Sequence, residues 1–153
     1  MNIEERLGKL GIVVPAPMKP AGAYRACVEA GGMVYVAGQG PVRPDGSLIT
    51  GRVPDIRSED EAIEAARLTA LNSLSQLRAH LGSLDRIKEV VRVFGLVNAV
   101  PGFQNHPRII DGFSHLMVEV FGDAGKGARC AVGAPSLPFD ITVEVEMSVA
   151  LRD

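Results

Sequence analysis

From Ile141 to Leu151 every second residue is apolar. Ile141, Val143, Val145, Met147, Val149 and Leu151 fall on one side of an extended chain, and Thr142, Glu144, Glu146 and Ser148 on the other. That is a strand with one core face and one polar face. Just upstream, Ala128–Ala134 reads as a second extended segment, and Pro135 and Pro138 break the chain between them. Proline has no backbone donor, so the bend lies there. Pairing the two segments as a hairpin would let Arg129 reach a carboxylate on the polar face. In its plainest form that contact is a cross-strand ion pair worth about 0.2–1 kcal/mol.

Two longer stretches carry the helical period instead. Over Ser58–Leu81 the residues Ile63, Ala66, Ala70, Leu74, Leu77 and Leu81 form one apolar stripe. Ser58 and Glu61 have capping-box spacing, and Gly82 is a natural stop. His80, in the last turn, reads as a partner of the helix dipole. A second helix begins after Asn105, a candidate cap, with Pro107 in its first turn. It buries Ile109, Ile110, Phe113, Leu116, Met117, Val120 and Phe121 and ends at Gly122. Gly112 inside it costs about 1 kcal/mol relative to alanine.

Shorter elements fill the remainder. Ile3, Leu7 and Leu10 share one side of a short helix ending at Gly8 or Gly11, too short to stand alone and so expected to dock. Pro15, Pro17 and Pro20 make Val13–Ala23 an extended lead-in. Tyr24–Glu29 and Met33–Ala37 read as strands joined by Ala30-Gly31-Gly32. Ser47–Val53 is a candidate short strand, and Glu89–Asn98 a Val-rich one. The order β-β-(β)-α-β-α-β-β, without repeat or linker, predicts an α+β fold with both helices on one sheet face. The expectation is one domain over residues 1–153, with an N-terminal extension of about 20 residues. The uncovered face mixes Val-rich strands with Glu144 and Glu146, which predicts self-association through it.

Composition narrows the function. Sixteen Lys and Arg against 18 Asp and Glu give a net charge of -2, with aromatics at 5% and no Trp. Neither a basic footprint nor a stacking platform for nucleic acid is present. Cys27 and Cys130 lack C-x-x-C spacing, so a reduced, cytoplasmic protein is expected. No apolar run reaches membrane-spanning length, and the N-terminus has no signal-peptide pattern. Gly38-Gln39-Gly40-Pro41 is not a dinucleotide loop, because Arg43 stands where the third Gly belongs and no helix follows. His106 and His115 lack ligand spacing on a helix, so no metal is expected.

Taken together, Tyr24, the run Val34-Tyr35-Val36-Ala37-Gly38-Gln39-Gly40-Pro41, Ala70-Leu71-Asn72, Val90-Val91-Arg92, and Ala128-Arg129 with Leu137-Pro138 and Val143-Glu144-Val145-Glu146 resemble the Rid (reactive intermediate deaminase), or YjgF, family. The resemblance spans most of residues 21–151 and implies a chorismate-mutase-like fold, a homotrimer and clefts between subunits. It implies hydrolysis of 2-imino acids or enamines to 2-keto acids and ammonia, with no cofactor and no metal. It places Arg129 on the substrate carboxylate, Glu144 on the attacking water, and Tyr24, Gly38 and the Ala131 amide around the substrate. Ala37 and Ala131 depart from the family's usual Ser and Cys, Ser114 stands near a usual Asn, and the Pro101–Pro107 loop is longer, as in a divergent branch. Three other readings stand beside the deaminase: a non-catalytic carboxylic-acid-binding trimer, an endoribonuclease, and a thiol enzyme built on Cys130.

Overall fold

A computed structural model describes residues 1–153. Five strands form one sheet in the order β1-β2-β5-β3-β4. They are β1 (Cys27–Ala30), β2 (Met33–Gln39), β3 (Ile87–Asn98), β4 (Ala128–Ala134) and β5 (Val143–Leu151). The helices are α1 (Ile3–Leu10), α2 (Glu59–Leu81) and α3 (His106–Phe121). The fold is the α+β arrangement expected, with α2 and α3 packed side by side on one sheet face.

Local chemistry sets the element ends. Ser58 accepts from the Glu61 amide while Glu61 returns a bond to the Ser58 amide, and α2 stops at Gly82 with φ +79°. Asn105 sits at the start of α3 but makes no side-chain cap bond; Pro107 supplies the preset φ of the first turn. Gly31 and Gly32 both adopt positive φ, as a two-residue hairpin between β1 and β2 requires.

The predicted core faces are the observed ones. Val34 and Val36 of β2, Val93 and Val97 of β3, and Val143, Val145, Met147 and Val149 of β5 meet the apolar sides of α2 and α3 in one cluster of 29 buried residues. Fully burying an aliphatic or aromatic side chain such as Leu74 or Phe113 stabilises by about 1.5–3 kcal/mol. Helix α1 docks as its length demanded. Leu7 is buried, Glu4 pairs with Arg78, and Asp85 accepts from the Ile3 and Glu4 amides.

Four expectations need correction. β4 does not form a hairpin with β5: it pairs in parallel with β3, and β3 lies between the two. The crossover through α3 makes this possible, because parallel neighbours need a long connection and β3–α3–β4 is one. Ser47–Val53 makes isolated bridges, Thr50 with Ile141 and Val53 with Ala99, rather than a strand. Tyr24 precedes β1, which starts at Cys27. Thr142 and Ser148 are buried although they lie on the polar side of β5. The Ile49–Val53 loop covers Thr142, whose hydroxyl donates to the Gly51 carbonyl.

Candidate functional site

The sheet register decides where the two charged candidates point. Arg129 lies opposite Val93, which lies opposite Met147; Val93 and Met147 are buried beneath the helices. Glu144 lies opposite Leu96, three rungs along. Side chains alternate faces with each rung, so an odd separation puts Arg129 on the helix face and Glu144 on the open face. One subunit cannot bring them together, and the intramolecular pair expected from a β4–β5 hairpin does not form.

Glu144 sits at a built position. The β2–β5 ladder has a bulge between Val36 and Gln39, which carries Gly38 over β5. A Cβ on Gly38 would lie 2.8 Å from Glu144 Oε1, so any side chain there would make the carboxylate move from this position. Asn72, buried in α2, donates to the Gly40 and Val42 carbonyls at 2.9 and 3.0 Å and pins the loop that follows. Burial first, and then the charge of Glu146, push the Glu144 carboxyl above its ordinary range; no cation or donor pulls it back. Such a half-buried, unpaired acid accepts a proton more readily than a solvated one. Gly38→Ala is expected to displace this carboxylate while the fold persists. An unchanged pH dependence and turnover in Gly38→Ala would contradict that.

Arg129 is held from α3. Its Nη1 donates to Asp111 Oδ1 at 2.7 Å and to Ser114 Oγ at 3.3 Å. Its Nε and Nη2 make no hydrogen bond within the subunit, and the side chain is 24% exposed. Ala131 lies two residues along β4, opposite Gly95 and on the helix side like Arg129. β4 is an edge strand, so its outer backbone groups have no partner strand.

Tyr24 is 52% exposed, and its hydroxyl accepts from the Ala21 amide. The bond from the Ala37 amide to the Ala26 carbonyl brings its segment to the Gly38 end of β2. Thus Glu144 and Gly38 touch, Tyr24 approaches their end of the sheet, and Arg129 with Ala131 forms a separate group. Cys130 is half-buried on the open face opposite Phe94. His106 packs against Gly133 on the other face, so it gives Cys130 no base. Burial pushes the Cys27 thiol up to about 11, which makes it a poor nucleophile.

Sequence reasoning did not foresee Asp111 as the partner of Arg129, nor Asn72 as the loop anchor. The available signal for Asp111 was its three-residue spacing from Ser114, which puts both on one side of α3. The open face also holds a depression of about 260 Å³ lined by Tyr35, Arg92, Phe94 and Glu146. No helix is long and apolar enough to cross a membrane.

Residues 4–150 match the family described as "YjgF/chorismate mutase-like, putative endoribonuclease". The chain is 40% identical over 153 residues to Protein TCP17 of Trypanosoma cruzi, covering 99% of this chain and 96% of that one. The crystal structure of Atu1372 from Agrobacterium tumefaciens, a protein described as of unknown function, superposes with a TM-score of 0.87 at 38% identity, covering 98% of this chain and 94% of that one. A structure from Shewanella oneidensis, described as a "putative endoribonuclease", superposes with a TM-score of 0.93 at 30% identity, covering 99% and 100%.

Proposed function

The chain belongs to the YjgF/chorismate mutase-like family, and from that premise we propose that it is an imine hydrolase acting on 2-imino acids or their enamine tautomers. The observation that carries this reading is the unpaired Glu144 carboxyl against Gly38, with its proton affinity raised by burial. Glu144 takes a proton from water as its oxygen adds to the imine carbon. Glu144 returns that proton to the nitrogen, giving a tetrahedral carbinolamine. As the C–N bond breaks, the hydroxyl proton passes through Glu144 to the departing nitrogen, so that ammonia leaves and the carbonyl of the 2-keto acid forms. Arg129 anchors the substrate carboxylate, since a guanidinium stays charged and fits a carboxylate with two parallel bonds.

Because Arg129 and Glu144 face opposite ways, this reading requires a site between subunits, Arg129 from one and Glu144 from its neighbour. A homotrimer associating through the open faces and β4 edges fits that need, and Tyr24 and the Ala131 amide fall beside the cleft. The substrate is a small imino acid, and no nucleic acid is required. With a net charge of -2, the chain lacks the surplus of positive charge that phosphate backbones select. The altered pocket lining, with Ala37 and Ala131 where the family usually has Ser and Cys, favours a second reading, a carboxylate-binding trimer without turnover.

The test is keto-acid release from enzymatically generated 2-aminoacrylate. Arg129→Ala is expected to raise KM about 10- to 100-fold, the worth of a charge-assisted pair. Equal rates for both proteins would end the hydrolase reading. Binding of 2-ketobutyrate without any turnover in the unaltered protein would establish the second.

A further inference from the structure

Three arginines of this subunit give two nitrogens each to a single carboxylate. Arg78 gives Nε and Nη2 to the two oxygens of Glu4, and Arg52 gives the same two nitrogens to Asp55. Arg67 gives Nη1 and Nη2 to Glu119. Arg129 differs. Only Nη1 is engaged, by Asp111 Oδ1 and Ser114 Oγ. The Nε–Nη2 edge, which takes a carboxylate side-on, is left without a partner.

We infer that Asp111 and Ser114 are positioning residues that grip Arg129 by Nη1 and present its Nε–Nη2 edge to the ligand carboxylate. This rests on the reading of Arg129 as the carboxylate anchor. An arginine on an edge strand has many rotamers, and freezing them on binding weakens affinity unless the protein has already done so. Asp111 and Ser114 stand three residues apart on α3, so they meet the guanidinium from one helical face. Nη1 carries two hydrogens, and each has its acceptor. Asp111 uses one oxygen only, so it fixes the group without consuming the edge. Its negative charge also tempers the pull of Arg129 on anions, which lets a keto-acid product leave.

Orientation and charge then act in opposite directions, and two substitutions at one position separate them. Asp111→Asn keeps an acceptor for Nη1 but removes the charge; Asp111→Ala removes both. In calorimetric titration of the full chain with 2-ketobutyrate, Asp111→Ala is expected to bind about tenfold more weakly. Asp111→Asn is expected to match the unaltered protein or bind more tightly. Ser114→Ala, which retains the ion pair, is expected to weaken binding about two- to threefold, less than a full neutral hydrogen bond. In the hydrolase assay the Asp111→Ala change should appear in KM with kcat nearly preserved. A purely structural role would instead lower the melting temperature of both Asp111 variants and leave ligand affinity alike in each.

Asp111→Ala binding as tightly as the unaltered chain overturns the inference, and so does Asp111→Asn weakening as much as Asp111→Ala. Should Asp111→Ala fail to fold, Ser114→Ala with undiminished affinity overturns it. If Arg129→Ala itself binds 2-ketobutyrate normally, the anchor reading has failed, an outcome distinct from loss of the positioning role alone.

Discussion

Gly112→Ala is expected to lower the melting temperature by about 4–8 °C, although alanine is the better helix former. In an open helix the exchange would gain about 1 kcal/mol. Here a Cβ at position 112 would lie 2.2 Å from the backbone carbonyl oxygen of Ile63. That atom belongs to α2 and cannot rotate away as a side-chain tip could. Helices α2 and α3 would have to separate, and overpacking of this kind costs about 1–3 kcal/mol or more. With the strain near its upper end, the net loss is about 2 kcal/mol, and each kcal/mol is worth about 2–4 °C at this size. Gly8→Ala is the control of opposite sign, because Gly8 lies inside α1 with nothing within 4 Å of its Cβ position. Thermal unfolding of the two variants should move in opposite directions. A Gly112→Ala protein as stable as its parent would show that the helices are not locked at this crossing.

Glu144→Gln is expected to reduce imine hydrolysis by about 10²–10⁴-fold, the usual worth of a positioned base. The same substitution is expected to stabilise the folded chain at pH values above the raised titration of the native carboxyl. The native carboxyl has its proton affinity raised, so the native state binds more protons than the unfolded state between the ordinary carboxylate range and the raised value. Stability therefore falls as pH rises through that window. Glutamine carries no charge and escapes the loss, so the variant's advantage is complete at high pH and vanishes in acid. Unfolding midpoints across pH read the stability arm, and kcat/KM across pH reads the chemical arm, which should rise through the same titration in the parent only. A Glu144→Gln protein with parental turnover would remove Glu144 from the chemistry. Equal stability differences at pH 4 and pH 8 would contradict its buried, unpaired state.

Elements whose ends are written in local chemistry were legible. The Ser58–Glu61 box, Gly82 and the stripe from Ile63 to Leu81 delimit α2 to within one residue, because capping and periodicity act over a few neighbours. Every residue assigned to the buried side of α3 is buried. Strand partnership was not legible in the same way. Alternation along Ile141–Leu151 says which way side chains point but not which strand lies alongside. The helix between β3 and β4 was the better guide, since it supplies the long connection that a parallel pairing needs. At the candidate site, the meeting of Gly38 with Glu144 follows from the bulge in β2, and their separation from Arg129 from the sheet register, neither of which the residue pattern displays. Gly112 shows the limit most clearly. Propensity counts it as a weakness, and only the proximity of Ile63 turns it into a requirement.

The two-faced placement of Arg129 and Glu144 also bears on how damage would spread. On the reading offered above, each polypeptide lends its cation to one neighbour and its acid to another. A subunit with a broken half disables the single cleft that uses that half and still completes the second. Mixed assemblies would thus lose function in steps rather than all at once.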